Sequence, residues 1–320
     1  MKYKKNNKEF KTLDEQVEIL KFKGLTIDNE DYAKHVLLSE NYFFLNGYRH
    51  LFLKSEQDKK FIEGTTFEEL YSLFLFDRQL RNLLFKNLLI IENNLKSIIS
   101  YQLSKEYGYK EKEYLKPSSF TDDPYKQRQV NDLIHKMKRQ IRINGNNHSA
   151  TFHYINNYGF IPLWVLVKLL SFGIVCEMFS ILKRDDQLVI ANMYDIPIEK
   201  FLEYLPMLAN YRNVCAHEDI LFENKTQKKI DPTIYHKLLR IPMEEDEYKY
   251  GVDDVFALVI ILKQFLSEEK FKDFCEELDG FIDNLDYNLS TITIVKVLDR
   301  MGFPENWKEI ETYKREKDEA

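Results

Sequence analysis

Apolar residues recur at three- and four-residue spacing along most of the chain, the mark of helices that bury one face. Val17, Ile19, Leu20 and Phe22 predict a short helix over Leu13 to Lys23 that stops at Gly24. A second begins at Asp28 to Glu30 and carries Tyr32, Val36 and Leu37. Tyr42 to Phe52 is rich in rings around Asn46-Gly47, a pair that predicts a tight turn. The strongest pattern lies between Gly64 and Gly108, a stretch with neither Gly nor Pro. Phe67, Leu70, Phe74, Leu80, Leu84, Leu88, Ile91, Leu95 and Ile98 keep helical spacing there, which predicts one amphipathic helix or two nearly continuous ones. Thr65 or Thr66 with Glu68 or Glu69 offers a capping box, and Gly108 a stop.

Pro117 to Pro124 reads as a connector, Tyr125 to Ile143 as a basic helix, and Asn144 to Asn147 as a loop. Pro162 suits the start of a buried helix over Leu163 to Leu182, with Gly173 allowing close approach of a neighbour and Trp164 in the core. Ile198 to Asn213 continues as a helix despite Pro206. Two further helical patterns span Asp253 to Leu278 and Ile292 to Met301, before a charged, frayed end from Glu311.

Composition agrees with this picture. Only 10 Gly and 8 Pro occur in 320 residues, about half the usual share, which argues against a loop-rich sandwich or a low-complexity chain. The expected class is all-α. Cys176, Cys215 and Cys275 lie far apart without a CxxC spacing, which excludes a disulfide framework and a zinc knuckle and fits a reducing cytosol. Met1 to Lys8 is basic but leads into no apolar stretch, so no signal peptide is expected, and Lys168 and Glu177 interrupt the most apolar run, so no membrane span is. A cytoplasmic protein is expected.

Charge changes the picture more. The net charge of −6 is unevenly spread: residues 1–160 carry a net of +5 and residues 241–320 a net of −11. A basic first half can hold phosphates while an acidic end lowers the average. Lys136, Lys138, Arg139 and Arg142 concentrate on the basic helix and are candidate RNA contacts, the alternative being a solvated helix face.

No GxxxxGK[ST], GxGxxG, HExxH or GxSxG signature occurs, and the 7 His make no metal-ligand cluster by spacing. Neither a metal nor a cofactor is expected. One constellation remains, Arg212-Asn213-Val214-Cys215-Ala216-His217. His217 can take the proton of a ribose 2′-OH or give one to a leaving 5′-oxygen, and Arg212 can hold the scissile phosphate. Five residues turn an ideal helix by about 140°, so the two side chains do not share a face. Either the helix ends or bends between them, or the site is assembled from two copies. On spacing alone the alternative is Arg212 in a salt bridge and His217 as a helix C-cap. Glu92 and Lys96, four apart in the favoured order, suit a helix-surface ion pair or polar groups aimed at this site.

Several stretches in order resemble one family. They are Asn41-Tyr42 through Gly47-Tyr48, Phe61-x-Glu63-Gly64-Thr65-Thr66-Phe67, Phe76-Asp77-Arg78-x-Leu80-Arg81, Ile91-Glu92-x-x-Leu95-Lys96, Pro162-Leu163-Trp164, Leu170-Ser171-Phe172-Gly173 and Arg212-Asn213-x-Cys215-Ala216-His217. Across roughly residues 12–225 the chain resembles the Abi family of bacterial abortive-infection proteins, the AbiD/AbiF-like group of the HEPN superfamily. The resemblance implies an HEPN-type helical bundle with an N-terminal extension, which with the charge pattern gives a core over 1–240; the acidic helical region over 241–320 lies outside the resemblance. It implies a phage-defence or toxin–antitoxin setting and a homodimer. The activity implied is that of a metal-independent endoribonuclease with Arg212 and His217 catalytic, and Asn213, Glu92 and Lys96 in support. A small noncoding RNA is an implied partner or inhibitor. Family members often continue after the His with Arg-Leu-Trp-Asn, whereas this chain reads Ile220-Leu221-Phe222-Glu223, which bears on substrate contacts from that segment alone. Two other functions compete. A non-catalytic RNA-binding module would use the basic first half, and a protein scaffold would bury Arg212 and His217.

Overall fold

The computed structural model describes residues 9–316 except Glu56 and Asn146. Met1 to Lys8, Asn146 of the Asn-rich loop and the last four residues of the charged end therefore lie outside the described residues. The N-terminal helices are α1 (Leu13–Phe22), α2 (Glu30–Glu40) and α3 (Tyr42–Gly47). They lead to the long α4 (Phe67–Tyr107), then α5 (Glu111–Tyr114), α6 (Gln127–Asn144), α7 (Ser149–Tyr158), α8 (Leu163–Leu169), α9 (Phe172–Ser180), α10 (Arg184–Asn192) and α11 (Ile198–Ala216). After α12 (Ile234–Leu238) a hairpin of β1 (Met243–Glu244) and β2 (Glu247–Tyr248) precedes α13 (Val255–Phe265), α14 (Glu268–Asn288) and α15 (Ile294–Met301). This is the all-α fold that the periodicity predicts.

The breaker-free stretch is a single helix of 41 residues, about 60 Å long at the usual rise. Thr66 accepts the Glu69 N–H and Glu69 reaches back to the Thr66 N–H, a complete capping box. At the other end Gly108 takes φ 91°, which stops the helix where a side chain would be strained. Leu70, Leu73, Leu80, Leu84, Leu88, Ile91, Leu95 and Ile99 are all buried along α4, and α8, α10, α11 and α14 pack against it.

The acidic end is joined to α4 by more than apolar contact. The Glu69 carboxylate accepts the N–H groups of Ser290 and Thr291, both at 2.6 Å. Burial pushes the Glu69 carboxyl up, but the donors on Thr291 and Ser290 outweigh it and hold the group below its usual range. Every residue of α13 is buried, apolar all round apart from Lys263 and Gln264, as suits a helix enclosed by others. Arg315 donates to the Leu266 carbonyl, and the Tyr235 hydroxyl donates to the Lys314 carbonyl at 3.2 Å. The chain is therefore docked through residue 316, not frayed from Glu311 onward.

Other expectations change for local reasons. Asn46-Gly47 ends a helix rather than forming a tight turn. A Cβ on Gly47 would come within 2.5 Å of the Ile220 side chain, so the glycine admits a close approach between segments far apart in sequence. The apolar run after Pro162 is two helices, because Leu170 and Ser171 are extended (ψ 137° and 157°) and a new helix starts after Ser171. A Cβ on Gly173 would meet nothing within 4 Å, so close approach does not explain that glycine. The pattern over Asp253 to Leu278 divides at Leu266 and Ser267, where Ser267 accepts the Lys270 N–H. The hairpin was not foreshadowed; Glu245 and Asp246 both take positive φ at its turn.

Candidate functional site

Two helices build the site. α11 buries Phe201, Leu205, Leu208, Tyr211 and Cys215, which turns Arg212 and Asn213 outward. Ala216 is the last residue of the helix and His217 its C-cap, and the helical hydrogen bonding carries on to it: the His217 N–H still bonds the Asn213 carbonyl at 3.0 Å. Glu218 then takes φ 57°, and the Asp219 N–H closes back on the Val214 carbonyl at 3.2 Å. This is a Schellman-type stop built without glycine. Within one chain Arg212 and His217 therefore remain about 140° apart around the axis.

Arg212 is held from α4. Its Nε donates to Glu92 Oε2 at 3.0 Å, and Lys96 Nζ donates to Glu92 Oε1 at 2.7 Å. Glu92 and Lys96 are buried, so this is an interior bridge and not a surface pair. Arg212 itself is 26% exposed, and its terminal amino groups have no hydrogen-bond partner among the described residues. Phe85 supports its guanidinium from 5.7 Å. His217 is exposed and caps the helix. The salt bridge and the C-cap are both present, yet neither side chain is buried as the scaffold reading requires. Arg212, Glu92 and Lys96 are brought together; Asn213 is exposed beside them and touches no polar partner among the described residues.

A second anchor holds the chain just past His217. The Asp77 carboxylate of α4 accepts the Phe222 N–H at 2.7 Å, the Leu221 N–H at 3.1 Å and the Tyr48 hydroxyl at 2.7 Å. Arg81 pairs with Asp77 and also donates to the Asp219 carbonyl at 3.3 Å. Burial raises the Tyr48 phenol, with the Asp77 charge adding to it, so Tyr48 stays a donor. The αL strain at Glu218, about 1–2 kcal/mol, is set against these buried bonds. Sequence reasoning gave Asp77, Arg81 and Tyr48 no role in the site. The signal was present as an Asp and an Arg four apart on an otherwise apolar helix face, because such a pair needs polar company inside. A pocket of about 590 Å³ opens on this segment, lined by Arg49, Arg78, Asn46, Glu218 and Asp219.

The four basic candidates on α6 are all exposed. Lys136 pairs with Glu177 at 2.6 Å. Lys138 lines a hollow with Lys112 and Glu111 of α5. Arg139 and Arg142 have no ion pair among the described residues. None of the four touches Arg212 or His217. Trp164, expected in the core, is 45% exposed, because α8 turns it away from α4 while Leu163 and Val167 face inward. Burial raises all three cysteine thiols, Cys215 and Cys275 to about 12, so none is a ready nucleophile.

A family model described as Abi-like protein matches residues 35–223, more than half of the chain, from α2 to the segment clamped by Asp77. The chain belongs to the Abi-like protein family, whose name links it to abortive infection. No curated protein and no solved structure matches it. Among the described residues no helix is long and apolar enough to cross a membrane.

Proposed function

We propose that this protein is a phage-defence effector of the HEPN type, a homodimeric endoribonuclease that cuts RNA without a metal. The observation that carries the reading is Arg212, which Glu92 grips by one edge while its other donors stay open, five residues before an exposed His217. The helical hydrogen bonding that carries on to His217 keeps the two side chains on different faces and supports a site completed by a second copy, in which Arg212 of one chain faces His217 of the other.

In this mechanism the ribose 2′-oxygen attacks the adjacent phosphorus and the bond to the 5′-oxygen breaks. His217 accepts the 2′-hydroxyl proton, and a solvent water gives a proton to the leaving 5′-oxygen. Arg212 neutralises the charge that builds on the non-bridging oxygens, and Lys96 acts through Glu92 by fixing the guanidinium plane. The products are a 2′,3′-cyclic phosphate and a 5′-hydroxyl. A small noncoding RNA as inhibitor and a cytoplasmic setting fit the same reading. The second reading, RNA binding without cleavage, is favoured by the satisfied Glu92 bridge.

Purified protein is expected to cleave RNA in EDTA and leave cyclic phosphate ends. Arg212→Ala and His217→Ala should each slow cleavage by at least about a hundredfold, the low end of what general acid–base and charge stabilisation supply, with unchanged thermal unfolding. Equal activity in both variants would sink the proposal, and RNA binding without cleavage in the wild type selects the second reading.

A further inference from the structure

One surface of the molecule gathers exposed rings. Tyr109, just after α4, is 43% exposed, Tyr158 of α7 58% and Trp164 of α8 45%. The Tyr109 ring centre lies 5.8 Å from that of Trp164 and 5.5 Å from that of Phe160, which in turn lies 6.4 Å from that of Tyr158. A cation is already seated among them: Lys110 Nζ is 5.7 Å from the Tyr109 ring centre and 5.3 Å from that of Phe160.

Much of this surface comes from a stretch with charge of one sign. From Leu133 to Cys176 the chain contains no Asp or Glu, while it contains Lys136, Lys138, Arg139, Arg142 and Lys168. Glu111, which shares the hollow with Lys138 and Lys112, is engaged by the Ile161 N–H. α7 buries only Thr151 and turns His153, Asn156 and Asn157 outward. Rings interleaved with amines and amides suit nucleobases and phosphates.

The surface is also continuous with the site. Lys168 lies one turn beyond Trp164 on the exposed face of α8, and its Nζ donates to Asn93 Oδ1 at 3.3 Å. Asn93 is the neighbour of Glu92, which holds Arg212. We propose that Tyr109, Phe160 and Trp164 form a stacking platform for unpaired bases of a single RNA strand, whose phosphates run past Lys110 and Lys168 towards Arg212. This rests on the RNA-cleavage reading and adds the substrate class, because bases paired in a duplex have no free faces to offer.

The chain reports on the platform itself. Of its 2 Trp, Trp307 is 2% exposed, so quenching by RNA belongs to Trp164. In the full-length His217→Ala protein, a single-stranded 12-mer of adenylate should quench Trp164 fluorescence saturably, and the same 12-mer in a duplex should not. Trp164→Ala and, separately, Tyr109→Ala should weaken binding of the labelled 12-mer by roughly tenfold or more, the size of one lost stack. Trp164→Phe should retain most of the affinity. Unchanged affinity in both alanine variants overturns the platform, as does equal quenching by the duplex. A dimer that dissociates in Trp164→Ala with RNA affinity intact assigns the surface to a second copy instead. Quenching by the 12-mer without any cleavage in the wild type defeats the nuclease reading and leaves the platform standing.

Discussion

Glu92 has a single carboxylate between two cations, and its position decides what each partner does. Lys96 is as buried as Glu92, so truncating the acid strands an ammonium in the interior. Glu92→Ala is expected to cost about 3 kcal/mol or more, the penalty of an unpaired interior charge, read as a lower urea midpoint. Replacing both groups, Glu92→Leu with Lys96→Met, should recover most of that stability, because no charge is then buried. The double variant should nonetheless cleave RNA poorly, since Arg212 has lost its grip. Full activity in a stable double variant would show that Arg212 needs no support from α4. Asp77 is the counterpart one side chain at a time: it binds two backbone N–H groups of the segment after His217, where Glu92 binds one side chain before it.

At the scale of elements, α12 shows a helix start tied to protonation. His236 Nδ1 accepts the Thr233 N–H at 3.0 Å, and Nε2 donates to the Gly251 carbonyl at 3.0 Å. The Nδ1 bond requires the neutral ring, and burial holds the imidazole below its usual value of 6.5. On acidification the unfolded chain takes the proton first, so this group's contribution to stability is complete above 6.5 and is lost as pH falls below it. Asp254, pushed up to about 7 by burial, works in the opposite sense: its contribution is present at low pH and fades as pH rises through that value. The informative quantity is therefore a difference. Between pH 7.5 and 5.5 the wild type should lose more urea stability than His236→Gln, and parallel profiles would contradict this account. Helices of this kind were legible in the sequence where one force dominates. The long α4 was visible because its apolar spacing, capping box and terminal glycine agree. The break at Ser171 was not, because an apolar run continues through it and only tertiary packing decides where the backbone turns; the break at Ser267 carried a local signal, a Ser ahead of Glu268 and Glu269, that marks a new helix start. Trp164 was misplaced for a related reason: a run in which nearly every position is apolar does not say which face is left over. The Arg212–His217 motif was legible as chemistry, whereas its Asp77 anchor depended on pairing across more than a hundred residues.

Across the whole molecule, the angle between Arg212 and His217 makes a test of assembly. If each site takes its arginine from one copy and its histidine from the other, mixing inactive Arg212→Ala with inactive His217→Ala restores one intact site in every mixed dimer. With half of the dimers mixed, about a quarter of wild-type cleavage should return. A site built within one chain would recover nothing, so co-refolded mixtures assayed beside the separate variants settle the question. The net charge also reads differently as a whole. The acidic end is not an appendage, since α14 packs on α4 and Glu69 binds Ser290 and Thr291. It leaves the basic residues of α6 and the ring-bearing surface on a different part of the chain. α4 itself acts as a ruler. Asp77 and Glu92 sit fifteen positions apart on it, about 22 Å along the axis, and between them they set both ends of the motif. A connector such as Pro117 to Pro124 absorbs an added residue by changing its path. One residue added between Asp77 and Glu92 would instead swing one anchor by about 100° relative to the other. Insertions and deletions among relatives that keep the motif are therefore expected only outside this interval, and the spacing of these two acids becomes a signature to search for alongside the arginine and histidine.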